Sequence, residues 1–216
     1  MSALLGTTVL DTAIAAAPVV AVIRHTDAPS AERIARAAIE GGIRVVEITF
    51  TVPGADALIA RLRADRPDVV IGAGTVLTPD QLDAAADAGA VFAVAPILDE
   101  AVAARAAERA VAFIPGAFTP TEVARASRGA AAVKLFPAAG LGTAFVTAVR
   151  DVLPDVRLMP TGGITAAAVG DWLRAGAYAV GLAGALGTAW RAGGAADVQN
   201  TARIAVAAAT AERNPA

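Results

Sequence analysis

The sequence predicts an α/β fold, a single-domain (β/α)8 TIM barrel, and three observations carry that reading. Short runs of β-branched residues alternate with alanine-rich segments of helical period from one end of the chain to the other. The runs number eight, and their starts lie 20 to 26 residues apart. Glycine, proline or threonine punctuates each changeover. Strict alternation of strand and helix calls for a parallel sheet, and eight units allow it to close. An open doubly wound sheet is the alternative. It lacks the GxGxxG turn after its first strand, where Ile23-Arg24-His25-Thr26 stands instead.

An alanine-rich helix is expected from about Thr8 to Ala16, stopping before Pro18. The eight strands are expected at Val19 to Ile23, Ile43 to Phe50, Val69 to Ile71, Val91 to Val94, Val111 to Ile114, Ala132 to Phe136, Val156 to Met159 and Tyr178 to Leu182. Helices are expected between them, at Ser30–Glu40, Ala55–Arg63, Pro79–Ala88, Asp99–Ala107, Thr121–Ser127, Thr143–Val152 and Ala166–Ala175. Ser30, Thr78-Pro79 and Thr119-Pro120 with Glu122 carry helix-start signals. Gly41, Gly89 and Gly176 fall where a helix end wants a left-handed residue. Helical segments around Trp190 and Val198–Glu212 form a C-terminal extension. Residues 1–216 read as one domain with a barrel core of about 19–186, and no linker interrupts them.

Composition narrows the function. A net charge of −2 with interspersed signs and 4% aromatic residues offers no basic stripe and little base stacking, so no nucleic-acid partner is expected. The absence of cysteine removes disulfides and thiolate chemistry. One histidine, His25, cannot build a multi-histidine metal site, so no metal and no cofactor is expected. No apolar run approaches a membrane span and no leader pattern is visible, so a cytoplasmic protein without a membrane partner is the expectation.

Two residues break the pattern. Lys134, in Val133-Lys134-Leu135-Phe136-Pro137, is the only lysine beside 17 arginines. A desolvated lysine can lose its proton and act as an amine nucleophile, which arginine cannot. The bland alternative is a chance survivor whose ammonium snorkels to a strand end. Glu47 repeats the anomaly inside Val45-Val46-Glu47-Ile48-Thr49-Phe50-Thr51. A lone buried charge costs several kcal/mol, so Glu47 needs a partner or a task. A structural Glu47–Lys134 ion pair and a catalytic pairing both fit. Burial would lower the lysine pKa towards neutrality and raise the carboxyl into a useful acid–base range.

In a barrel, chemistry gathers where strands finish. Those positions hold Arg24, Thr75, Pro96, Pro115-Gly116, Thr161-Gly162-Gly163 and Gly184. The Gly162-Gly163 pair suits either a tight turn or an anion site ahead of a helix, and its place after the seventh strand favours the anion.

These residues resemble the 2-keto-3-deoxy-6-phosphogluconate (KDPG)/4-hydroxy-2-oxoglutarate (KHG) aldolases, a class I family of about this length. The likeness runs from about Val19 to Leu186. It rests on VVAVIR at 19–24, GGIRVVEITFTVP at 41–53, GAGTVL at 72–77, IPG at 114–116 with TPTE at 119–122, VKLFPA at 133–138 and PTGGI at 160–164. The resemblance implies a barrel, commonly a homotrimer, that cleaves a 2-keto-4-hydroxy acid to pyruvate and an aldehyde. It implies Lys134 as Schiff-base former and Glu47 as general acid–base. Arg24, Thr75 and Pro96 would line the pyruvate portion, with Phe136 beside the lysine and Gly162 and Gly163 on the distal phosphate or carboxylate. Some members carry arginine where Thr51 stands, leaving Arg24 to serve the carboxylate here. The eighth strand commonly ends in glycine–serine, where this chain reads Ala183-Gly184, and Ile97 replaces a smaller residue. The rival readings are a non-catalytic phosphometabolite-binding barrel and a phosphosugar-processing barrel of different chemistry.

Overall fold

The computed structural model describes residues 2–213, with side chains described from 6 to 212. Helix α1 (Ser2–Ala16) leads into β1 (Val19–Ile23), α2 (Ala28–Glu40), β2 (Val45–Thr49), α3 (Ala55–Asp65), β3 (Val70–Gly74), α4 (Pro79–Asp87) and β4 (Phe92–Val94). Next come α5 (Glu100–Glu108), β5 (Ala112–Ile114), β6 (Gly116–Ala117), α6 (Pro120–Ala126), β7 (Val133–Leu135) and α7 (Thr143–Val152). The order ends with β8 (Leu158–Pro160), α8 (Val169–Arg174), β9 (Val180–Leu182) and α9 (Gly184–Arg213).

Every strand pairing is parallel. The strands group as β5-β4-β3-β2-β1-β9 and as β6-β7-β8. The expected fifth strand is found as β5, and a further two-residue strand, β6, follows it across Pro115, which has no N–H to give to a ladder. The two groups still touch at both ends. Lys134 N–H donates to the Pro115 carbonyl at 2.9 Å, and Tyr178 N–H to that of Leu158 at 2.8 Å. Thr161 bridges Gly181 in parallel fashion.

The apolar residues divide in two. One set, including Ile34, Ile39, Leu58, Leu62 and Leu82, lies between strands and outer helices. The other joins Leu10 and Ile14 of α1 to Val20, Val45, Val70, Phe92, Ile114 and Met159. Alternation along each strand produces the split, since successive side chains point to opposite faces.

Three local expectations need correction. The cap of α2 is Asp27, whose carboxylate accepts from Ser30 N–H, so Ser30 lies inside the helix. At the end of α2 the left-handed residue is Gly42 (φ 104°), one later than expected. Gly41 is right-handed and serves packing instead: a Cβ there would lie 2.5 Å from both the Ala202 Cβ and the Gln199 carbonyl oxygen. Helix Ala166–Ala175 is instead a 3-10 turn, Ala166–Ala168, followed by the short α8. The Thr119–Glu122 capping box forms as the sequence predicts. The C-terminal extension is α9, broken at Gly193 and Gly194, with Val198, Ala202, Ala205 and Ala209 buried. Trp172 is buried, while Trp190 packs outside against His25 and under the Arg33 guanidinium. Among the described residues no helix is long and apolar enough to cross a membrane.

Candidate active site

Strands β2 and β7 each bring one charge to the same interior. Glu47 is fully buried and Lys134 is 3% exposed. Their separation is 3.6 Å from Nζ to Oε1, an ion pair rather than a hydrogen bond. Both carboxylate oxygens of Glu47 are buried without a hydrogen-bond partner among the described residues. Register explains the meeting: Glu47 aligns with Val22 on β1 and Gly72 on β3, while Lys134 aligns with Gly116 on β6 and Met159 on β8.

Burial pushes the Glu47 carboxyl above its ordinary range, and the Lys134 ammonium and then Arg24 only partly oppose it. A carboxyl raised in this way, next to a lysine, is suited to hold a proton and pass it on. Lys134 Nζ also lies 5.4 Å from the centre of the Phe136 ring. Phe136 is 37% exposed, so this ring borders the lysine on the solvent side. The bond from Phe136 to Pro137 is cis.

The other strand-end residues fall into three places. Arg24 is exposed at the end of β1 and its Nη2 donates to Thr75 Oγ1 at 3.1 Å. Thr75 has φ 55°, a left-handed value uncommon for a threonine. Next to this pair, the Thr49 hydroxyl donates to the Ile23 carbonyl at 2.9 Å and lies 2.7 Å from the Thr51 hydroxyl. Thr49 is a fully buried polar residue that the sequence offers only as one more strand threonine.

Pro96 and Phe136 line one cavity with Ile97, Phe118, Glu122 and Arg125. Ile97, flagged by the sequence as a larger residue, is 56% exposed there. Close strand approach shapes this wall, since a Cβ on Gly116 would come within 2.7 Å of Ile97 N.

Gly163 and Gly184 line a second cavity, with Ile164, Thr165, Ala185 and Thr188. Gly162 and Gly163 both have positive φ, 97° and 76°, so the turn itself requires glycine. A Cβ on Gly162 would also press to 3.2 Å from the Phe136 ring. Thr161 turns away from that cavity: it is 1% exposed and its hydroxyl donates to Met159 O at 3.3 Å. Among the described residues no group of three or more His, Cys, Asp or Glu side chains could hold a metal ion.

Comparison with known proteins places the chain in a family. The family described as KDPG and KHG aldolase matches residues 10–204. The chain is similar to a "2-dehydro-3-deoxy-phosphogluconate aldolase" of Treponema pallidum, 44% identical over 149 residues, 68% of this chain and 70% of that protein. It is also similar to a "2-dehydro-3-deoxy-6-phosphogalactonate aldolase" of Escherichia coli, 35% identical over 199 residues, 91% of this chain and 95% of that protein. Among solved structures, a KDPG aldolase from Legionella pneumophila, described with pyruvate captured as a covalent carbinolamine, superposes with TM-score 0.75 at 29% identity, over 93% of this chain and 96% of that one. With the family matched over residues 10–204 and these relatives beside it, the chain, whose lone lysine lies against a buried glutamate, belongs to the KDPG and KHG aldolase family.

Proposed function

We propose that this protein is a class I aldolase that reversibly cleaves a 2-keto-4-hydroxy acid to pyruvate and an aldehyde. One observation carries the reading: the only lysine of the chain lies 3.6 Å from a buried glutamate that has no hydrogen-bond partner among the described residues. Lys134 Nζ attacks the C2 ketone and forms a carbinolamine, which loses water to give a protonated imine. Glu47 removes the C4 hydroxyl proton as the C3–C4 bond breaks. The bonding pair moves through C3 to the imine nitrogen, and the aldehyde departs. Protonation of the enamine at C3 and hydrolysis of the imine release pyruvate and restore the amine. Arg24 and Thr75 take the carboxylate end, Pro96 and Phe136 wall the reacting carbons, and Gly162, Gly163 and Gly184 face the distal group.

Several finer features belong to the same reading. A closed eight-fold barrel over about residues 19–186 is supported by the run from β5 through Pro115 to β6 and by the bridge of Thr161 to Gly181. The released aldehyde is glyceraldehyde 3-phosphate or glyoxylate. The assembly is a homotrimer, the location cytoplasmic, and the reaction independent of metal.

Borohydride reduction in the presence of pyruvate tests the core of the proposal. A stable adduct on Lys134, absent in Lys134→Met, is the expected outcome. No adduct, or one that persists in the variant, contradicts it. A chelator is expected to leave the cleavage rate unaltered; loss of activity would point to a metal.

A further inference from the structure

At the end of the strands away from the candidate active site, a cavity of about 510 Å³ opens between α1 and the starts of β2 and β3. Its apolar lining includes Val9 and Ala13 of α1, with Pro67 and Val70 at the start of β3. Val9 is 46% exposed, an apolar side chain left open to water where it lines the cavity. Val70 belongs to the inner apolar cluster that also holds Leu10 and Ile14 of α1.

Three charged side chains share the lining: Arg44, Arg63 and Asp68. Asp68 is already matched, since Arg66 donates to both of its oxygens at 2.9 and 2.8 Å. Arg44 is anchored through Nη1, which donates to the Ile39 and Ile43 carbonyls at 3.1 and 3.3 Å. Its other two guanidinium nitrogens, and all three of Arg63, make no hydrogen bond or ion pair among the described residues. Two guanidinium groups facing one carboxylate that a third arginine already holds leave the cavity with excess positive charge.

A guanidinium presents paired donors that match a carboxylate, and a concave apolar wall favours carbon over a hydrated ion. We infer that this cavity is a second ligand site, independent of the aldolase reading, for an amphipathic carboxylate. Its acid group meets Arg44 and Arg63, and an apolar body of ring or branched-alkyl size lies against Val9, Ala13, Pro67 and Val70. Inorganic phosphate has the charge but nothing to place on the apolar wall. A neutral hydrophobe leaves both guanidinium groups unmatched. The keto acid of the proposed reaction carries hydroxyls where this cavity offers carbon, so it is not a second place for substrate. An occupant touches both α1 and β3, and by mass action it stabilises the folded chain.

The test uses 3-phenylpropionate as probe, with 3-phenylpropanol and propionate as its neutral and truncated counterparts. Titration calorimetry on the unaltered protein is expected to show one saturable site for the probe, at least about tenfold tighter than for either counterpart, the worth of a hydrogen bond to a charged group. The melting temperature should rise with the probe and not with propionate. Arg63→Gln, which has no ion pair to lose, should weaken probe binding about tenfold or more. Val9→Asp should weaken it too, by placing a like charge on the apolar wall. Arg44 is left unaltered because its two carbonyl bonds serve the fold. Equal affinity for 3-phenylpropanol, no saturable binding at millimolar probe, or binding unaltered in both variants overturns the inference. Binding lost in Arg24→Gln but kept in Arg63→Gln would put the probe at the candidate active site, and would overturn it as well.

Discussion

Glu47 occupies the volume that a side chain at position 74 would need. A Cβ on Gly74 would lie 2.5 Å from the Glu47 Cδ and nearer still to Oε1. The glycine that ends β3 is therefore kept bare so that the Glu47 carboxylate can lie across it.

Gly74→Ala tests that relationship. The methyl must displace either the carboxylate or the strand, at a cost of about 1–3 kcal/mol for overpacking. A carboxylate moved by a fraction of an ångström from its working position is expected to lower kcat by at least about tenfold. Steady-state kinetics and a thermal melt read the two effects. A variant with ordinary kcat would separate Gly74 from the positioning of Glu47.

Glu47→Gln keeps the shape and removes the titrating group. Cleavage is expected to slow by about 10²–10⁴, the usual contribution of a general acid–base group. Lys134 remains able to reach a ketone, so borohydride trapping of pyruvate should still occur, though more slowly. Full cleavage activity in this variant would assign the proton transfer elsewhere.

The same carboxyl links stability to pH. Burial outweighs the opposing Lys134 and Arg24 charges and holds the folded-state pKa above the ordinary 4.5. Between those two values the folded chain binds more protons than the unfolded one, so stability falls as pH rises. The contribution is complete below 4.5 and is lost as pH passes the raised value. Glu47→Gln has no such loss. Urea unfolding of both proteins across that interval should show the unaltered protein losing ground to the variant as pH climbs. A pH-independent difference would contradict the raised pKa.

At the opposite end of the strands a polar cluster fastens α1. Tyr178 donates its hydroxyl proton to Asp11, and Arg157 Nη1 donates to both Asp11 oxygens at 2.8 and 2.9 Å. The Arg157 guanidinium lies 5.4 Å from the centre of the Tyr178 ring. Burial, together with the Asp11 carboxylate, pushes the Tyr178 phenol well above its ordinary range. Tyr178→Phe is expected to cost about 1–2 kcal/mol, measured by denaturant unfolding, because a charged acceptor loses one of its two donor side chains. KM for the keto acid should not change, since Leu10 and Ile14 still fill the interior beneath the strands. A rise in KM would show that α1 is coupled to the catalytic end.

Legibility in the sequence followed chemical contrast. Lys134 and Glu47 stood out because a single charge in a run of Val, Ile and Phe needs a partner or a task, and the structure brings them together. Strand positions were legible for the same reason, with Val19–Ile23 recovered to the residue. Thr49 was invisible because threonine is at home in any strand, and only the fold shows where its one proton goes. The shift from Gly41 to Gly42 could not be read either. It depends on helix α9 arriving from more than 150 residues away to pack on Gly41, a contact without local signature. Asp11, Arg157 and Tyr178 are likewise ordinary residues apart and a fastening only when folded.

The scarcity of lysine has a consequence outside the reaction. The basic residues other than Lys134 are arginines, and Lys134 is 3% exposed. Lysine-directed acylation therefore finds no lysine on the protein's surface and must reach a buried one. Under the proposed mechanism, acetylating that lysine and inactivating the enzyme are the same event, and an amine-reactive dye on the side chain counts competent sites.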